Sequence, residues 1–417
     1  MAGASLGITY KNERSRLEEI LQPIILKVDM AVKNKFQLVY LFQYALMAIL
    51  MTQIVPFLTQ QGYDAVQRGW FLASYSVTTM IFQIFIGYYS DRSKEIKKVS
   101  MVVSVLFVCF AITFYLLGKD IWLIHLIVLA IAGGLSNTGA TVLDNWVLSE
   151  SEMRNNLAAI KAIGSLGWSV MSVCIPLFIF NKNYHWLIVP FLFFLISYLY
   201  IAKTVPQTPH DKKEHKEQKN EEFNLSDMYQ LCKNGEFLCY TLLFFLLYLT
   251  IVANNTIVID KLLLMDSGNT FVGLKWAIQA FCEIPAYLLL NHSVTKWKNE
   301  RLIFLSGFFL VLQFLIYATS RTPLVLLAAS FLQFFTVPAF TIGSRMIISE
   351  ITPKNIFSSG QLLSISVYMG LSSFISPLLG GVLAQQLSVN QALYFFSLLP
   401  IFAFICYYCY RKYLRNS

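Results

Sequence analysis

Charge is scarce in this sequence. Asp, Glu, Lys and Arg together make up 13% of its 417 residues, too few to cover a soluble globular chain of this length. Histidine is scarcer still: His125, His185, His210, His215 and His292 are scattered, with no metal-ligand spacing among them. No P-loop, H-E-x-x-H, G-x-S-x-G or glycine-rich dinucleotide turn occurs, which argues against ATP-driven pumping and against the enzymes those motifs serve. The seven cysteines form no paired framework. Cys406 and Cys409 do make a C-x-x-C, but it lies in IFAFICYYCYRKY with no second pair or histidine nearby, so it reads as two inert thiols. No enzyme activity, cofactor or metal is expected.

What is abundant is apolar surface. The chain is 56% hydrophobic and 15% aromatic, and its mean hydropathy is +0.58, so its solvent is a bilayer. A span needs roughly 20 mostly apolar residues, and twelve segments meet or approach that: 36–58, 69–89, 99–118, 121–148, 157–180, 184–204, 237–259, 271–290, 302–319, 322–348, 359–384 and 389–410. The polar stretch TPHDKKEHKEQKNEEFNLSDMYQLCKNGE separates the sixth from the seventh and reads as a solvated linker in its charged first half. The expected fold is an all-α polytopic membrane protein of twelve transmembrane helices in two six-helix halves. Its parts are a tail over 1–35, an N-terminal bundle over 36–204, a linker over 205–236, a C-terminal bundle over 237–410 and a tail over 411–417. Leu17, Ile20, Leu21, Ile24 and Val28 fall at helical spacing, so the first tail is either a short interfacial helix interrupted by Pro23 or a partly ordered segment.

Most of the 32 Lys and Arg lie in the two tails, the linker and the even-numbered connections. The opposite face holds Arg68, Lys119, Lys182, Lys261, Lys275 and Arg321. That bias places both termini in the cytoplasm of a multi-pass protein of the cell (plasma) membrane. The net charge of +9 is spread beside apolar runs, so it marks topology and gives no sign of nucleic-acid binding.

The halves repeat each other. GYYSDRSKEIK at 87–97 and NHSVTKWKNER at 291–301 align without a gap, placing Arg92 on Lys296, Lys94 on Lys298 and Lys97 on Arg301. A repeated six-helix unit of this kind builds many secondary transporters, with the substrate held between halves that rock about it. GYYSDRSKEIKK also resembles the signature loop of the major facilitator superfamily, G-x-x-x-D-[RK]-x-G-[RK]-[RK], and falls where that family has it, between helices two and three. It lacks the second glycine, and its terminal basic pair is displaced by one residue. The resemblance implies a conformational latch formed by Gly87, Asp91, Arg92 and Lys97 or Lys98.

Within that superfamily the chain is most similar to the oligosaccharide:proton symporters, the lactose permease group. The likeness is carried by IVPFLTQQGYDAVQRGW, LDNW, GSLGW and FFTVPAF. Ionisable residues inside spans are costly and face a cavity or a partner, and three stand out: Asp144, Lys161 and Glu283. Asn137, Thr141 and Asp144 share one face of helix four; Lys161, Ser165, Trp168 and Ser172 share one of helix five; Trp276, Gln279, Glu283 and Tyr287 share one of helix eight. Gly164 and Gly167 allow close helix approach. A carboxylate and an ammonium can divide the donors and acceptors of a polyol, while an indole offers an apolar face to a sugar ring.

The resemblance gives Asp144, Lys161 and Trp168 the sugar-binding roles, and gives Glu283 both recognition and proton coupling. An apolar, partly wet surrounding suits a carboxyl to carry a proton near neutral pH. Lys161 stands where the family has arginine, which removes the planar two-pronged contact. Gln333, Thr336 and Gln313 stand where the family has charged residues in helices ten and nine. The family's aspartates of helix seven are replaced near Asn254 and Asn255, and its lysine of helix eleven has no counterpart. Coupling therefore runs through Glu283 and Asp144 or is absent.

The expected function is proton-coupled uptake of a sugar or oligosaccharide by a monomer in a lipid bilayer. Its cavity lies at mid-membrane and is lined by Asp144, Lys161, Trp168 and Glu283, with Asn137 and Gln279 beside them. The rival is a carrier of nucleosides, small aromatic acids or drugs, or an uncoupled facilitator.

Overall fold

The computed structural model describes residues 30–206 and 231–416, apart from positions 94, 119–120, 151–152, 154–155, 182, 232, 294–298, 353–359 and 361–362. The interfacial helix considered in the first tail, the charged part of the linker and the lysines at 296 and 298 lie outside the described residues.

A lipid-embedded backbone must satisfy its own hydrogen bonds, and this chain does so with helices. Taking a helix and any interruption as one element, the first half holds α1 (Met30–Gln60), α2 (Ala65–Ser93), α3 (Ile96–Leu116), α4 (Trp122–Ser149), α5 (Leu157–Cys174) and α6 (Tyr184–Thr204). The second half holds α7 (Gly235–Leu263), α8 (Gly268–Ser293), α9 (Asn299–Thr319), α10 (Pro323–Ile351), α11 (Leu363–Gln386) and α12 (Val389–Asn416). Eleven of the twelve are long and apolar enough to cross a membrane. The exception is α8, whose composition is diluted by Lys275, Gln279 and Glu283. Several helices run past the apolar segments read from sequence: α1 begins inside the expected tail, α7 inside the linker, and α12 continues to Asn416. The physical reason is that helical hydrogen bonding does not stop where hydrocarbon does.

The first helix of each half is broken, and in the same way. In α1 the interruption falls at Thr52–Gln53, where the Thr52 hydroxyl turns back on the Ala48 carbonyl at 2.8 Å and Pro56 has no N–H to return to Thr52. In α7 it falls at Asn254–Thr256, in an Asn-Asn-Thr run whose side chains compete with the helix for backbone groups. Each break is followed by seven helical residues, Ile54–Gln60 and Ile257–Leu263. These two short pieces pack against each other across the halves. α10 is interrupted as well, by a 3-10 turn at Phe331–Phe335 ahead of Pro338.

The halves meet chiefly through α2 on α11 and α5 on α8. Close approach there depends on glycine: a Cβ on Gly69 would meet the Pro377 carbonyl, one on Gly381 that of Ala65, and one on Gly273 that of Ser172. Helices without a hydrophobic drive between them associate through such small-residue contacts. These contacts, with the Arg68–Asp260 ion pair and the bonds from Ser76 to the Ser373 carbonyl and from Ser169 to the Ala277 carbonyl, lie toward the end of the bundle remote from the termini. The remote end is therefore sealed.

Candidate functional site

α1 sets the first half of the site. Its Phe36 packs edge to face on Trp146 of α4 at 5.1 Å, and both rings are fully buried. One turn along α1, the Tyr40 hydroxyl donates to Asp144 Oδ1 at 2.8 Å. Asp144 Oδ2 accepts from Lys161 Nζ at 2.6 Å. Both charged side chains are partly exposed, 26% of Asp144 and 41% of Lys161. Gly167 of α5 lies on the Leu41 backbone and Gly164 on Tyr40 and Tyr44, so the glycines fit α5 to α1. The ion pair thus reaches from α5 to α4 and is locked by a tyrosine of α1.

Helix geometry places the other side chains. Trp168 is seven residues past Lys161 on the same face, roughly 10 Å deeper toward the remote end. There it meets Trp276 of α8 edge to face, with 6.1 Å between ring centroids. α8 runs the opposite way to α5, so Glu283, seven residues past Trp276, returns about the same distance toward the termini. Lys161 and Glu283 therefore lie at similar depth in opposite halves, on the faces of α5 and α8 that carry the two indoles. The depth differs from expectation: Lys161 sits one turn, roughly 6 Å, from the first residue of α5, so the ion pair lies toward the end of the bundle that carries the termini, and the tryptophans lie deeper.

In the second half the breaks in α7 and α10 bring amides together. Gln333, in the 3-10 turn of α10, donates from Nε2 to Glu283 Oε1 at 3.0 Å. Its Oε1 accepts from Asn254 Nδ2, Gln279 Nε2 and the Thr336 hydroxyl, each at 3.4 Å. Buried orphans remain beside this cluster: Asn254 Oδ1 and Trp276 Nε1 have no protein partner. Such atoms await a ligand or water.

The remaining candidates lie apart. Asn137 donates to the Thr79 hydroxyl of α2 at 3.2 Å, and Thr141 accepts from Gln83 at 3.0 Å, so the upper part of the α4 stripe is spent on a helix contact. In the signature loop Lys97 donates to the Lys203 and Val205 carbonyls at 2.9 and 2.7 Å, and Lys35 to that of Thr204 at 2.9 Å, closing the C-terminal end of α6. A cation on the last carbonyls of a helix is a favourable contact with its macrodipole. Lys98 pairs with Glu95 at 2.6 Å, and Arg92 reaches the Tyr88 hydroxyl at 3.3 Å. Open space surrounds Gly87, and the side chain of Asp91 lies outside the described residues. Among the described residues no group of His, Cys, Asp and Glu is arranged to hold a metal.

Sequence reasoning missed two residues. Tyr40 carried no signal, being one aromatic in an aromatic-rich helix. Lys275, assigned to an outer connection, is fully buried within α8. Its place inside FVGLKWAIQAF was the available sign, and it gives α8 a buried base as well as an acid.

The chain belongs to the MFS_1 like family, whose model matches residues 34–396. As a member of that family it is a polytopic, multi-pass membrane transporter and not an enzyme. Among solved structures, the nucleoside transporter NupG is similar with a TM-score of 0.74 at 13% identity, over 91% of this chain and 98% of that one. A point mutant of NupG reaches 0.78 over 91% and 99%. A bacterial homolog to the human lysosomal transporter Spinster, in its inward-facing and unoccupied conformation, gives 0.72 at 10% identity over 93% and 98%. No curated protein matches the sequence.

Proposed function

We propose that the chain carries a nucleoside or a closely related polyhydroxylated molecule with a planar ring, by alternating access, through the space between Lys161 and Glu283. The supporting observation is the amide cluster on Gln333, which sets neutral donors and acceptors opposite the Asp144–Lys161 pair. An ion pair suits a diol. Amides suit the mixed edge of a base, and the Trp168–Trp276 pair suits its face. The likeness to a structure described as a nucleoside transporter favours the same reading. A sugar or oligosaccharide is the second reading, favoured by Asp144, Lys161 and Trp168 standing as they do in the lactose permease resemblance.

Glu283, with Asp144, is the proposed proton carrier, held at one oxygen by Gln333 and free to change partners at the other. Gln279 borders the substrate, whereas Asn137 is held on Thr79 of α2 and stands apart from it. Gly87, Asp91, Arg92, Lys97 and Lys98 form the proposed latch, engaged when the terminal end closes. The proposed setting is the plasma membrane, with both termini cytoplasmic, the sealed end outward, and the monomer as the working unit. Uptake of labelled nucleosides and of mono- and disaccharides into proteoliposomes, with and without an imposed proton gradient, tests the reading. Nucleoside uptake that sugars do not compete supports it, and uptake of sugars alone overturns it in favour of the second.

A further inference from the structure

Lys275 is fully buried, a costly place for an ammonium in a membrane helix. Among the described residues no carboxylate pairs with it. Its Nζ donates to the main-chain carbonyl of Asn254 at 2.8 Å, and it lies 4.1 Å from the centroid of the Trp276 ring. Asn254 is the residue at which the first part of α7, Gly235–Ala253, ends. A helix end carries the negative end of the macrodipole and carbonyls without helical partners. Beside it, Asn254 Oδ1 is a buried acceptor with no partner. A backbone carbonyl at a helix break and an indole face hold the ammonium, and the partnerless Oδ1 of the same residue is a further oxygen that a monovalent cation at this break could take.

We infer that the break in α7 is a cation site that the chain fills from within: the Lys275 ammonium stands where a free alkali ion or small ammonium ion would otherwise sit. The native protein therefore needs no such ion to hold α7 and α8 together. Truncating the side chain vacates this position without altering its oxygens, so the shortened variant acquires a site for Na+ or methylammonium. This inference does not depend on which substrate is carried.

The test is thermal unfolding of the purified full-length protein in detergent. The salts are NaCl, methylammonium chloride and N-methylglucamine chloride at equal ionic strength, the last cation being too large for the site. The native protein should melt at one temperature in all three. Lys275→Ala should melt about 5 °C or more lower in N-methylglucamine, and Na+ or methylammonium should restore it saturably, as ligand linkage requires. An equal response of Lys275→Ala to all three salts overturns the inference, as does selective stabilisation of the native protein by Na+. If Lys275→Ala does not fold, Lys275→Met decides, because it keeps the stem and removes the charge. A Met variant as stable as the native protein shows that the stem alone mattered and overturns the inference; a less stable one that no salt restores supports it.

Discussion

Arg68 of the first half and Asp260 of the second are joined by a 2.8 Å ion pair with only 13% and 11% of their side chains exposed. Arg68 also donates to the Tyr63 carbonyl at 2.6 Å, so the guanidinium ties the α1–α2 turn to the short outer piece of α7. Opening the remote end requires this pair to part. Removing one partner of a buried pair is far more costly than removing both. Asp260→Asn should therefore shift the protein toward a remote-open state, read as at least a several-fold faster maleimide labelling of a cysteine placed at Ser172. Arg68→Asp combined with Asp260→Arg should return labelling toward the native rate. Unchanged labelling in Asp260→Asn would show that the pair does not hold the seal.

Asp144 and Lys161 should behave as one unit. Lys161→Ala and Asp144→Ala are each expected to lower substrate binding by about tenfold or more while the protein still inserts and folds, since each leaves its partner's charge unmatched. Tyr40→Phe removes a single bond to Asp144 and should cost about 1 kcal/mol, roughly fivefold. Isothermal titration of the purified variants reads all three. Native affinity in both alanine variants would reduce the pair to a packing element.

Glu283 and Gln333 separate recognition from coupling. Glu283→Gln should abolish accumulation against a gradient while counterflow exchange persists. Gln333→Leu strips Glu283 of its donor and removes the side-chain oxygen shared by Asn254, Gln279 and Thr336, so it should weaken binding by about tenfold or more. Undiminished proton-driven accumulation in Glu283→Gln would remove the coupling role.

Close backbone approach makes its own prediction. A side chain at Gly273 would strike the Ser172 carbonyl, so Gly273→Val should hold α5 and α8 apart and abolish transport even though it touches no polar group of the site. Gly87 has open space around it in this conformation, so Gly87→Ala should leave the sealed remote end as it is. Transport rates and the Ser172 labelling assay check both.

The twelve-helix architecture was legible because hydrophobic length is a strong signal and each apolar run stands nearly alone. The Asp144–Lys161 pair was legible for a related reason: a charge inside a span has few places to go. The Gln333 cluster was not. Amides are neutral, and their grouping depends on a 3-10 turn before Pro338 and a break at Asn254, neither of which helical periodicity encodes. The sequence also pointed Gly164 and Gly167 toward no particular neighbour, and they turned out to serve α1. Lys275 was misplaced because a lysine near a span boundary is normally an anchor. Here the break in α7 supplies a carbonyl that holds it inside.

The seven-residue pieces that end α1 and α7 set a limit of scale. Each is roughly 10 Å long, so a 30° swing at its joint carries the tip only about 5 Å. That clearance passes a single flat ring edge-on and little else. A bulkier cargo would need the whole of one bundle to tilt, so its turnover should slow with cargo width in a step rather than a slope.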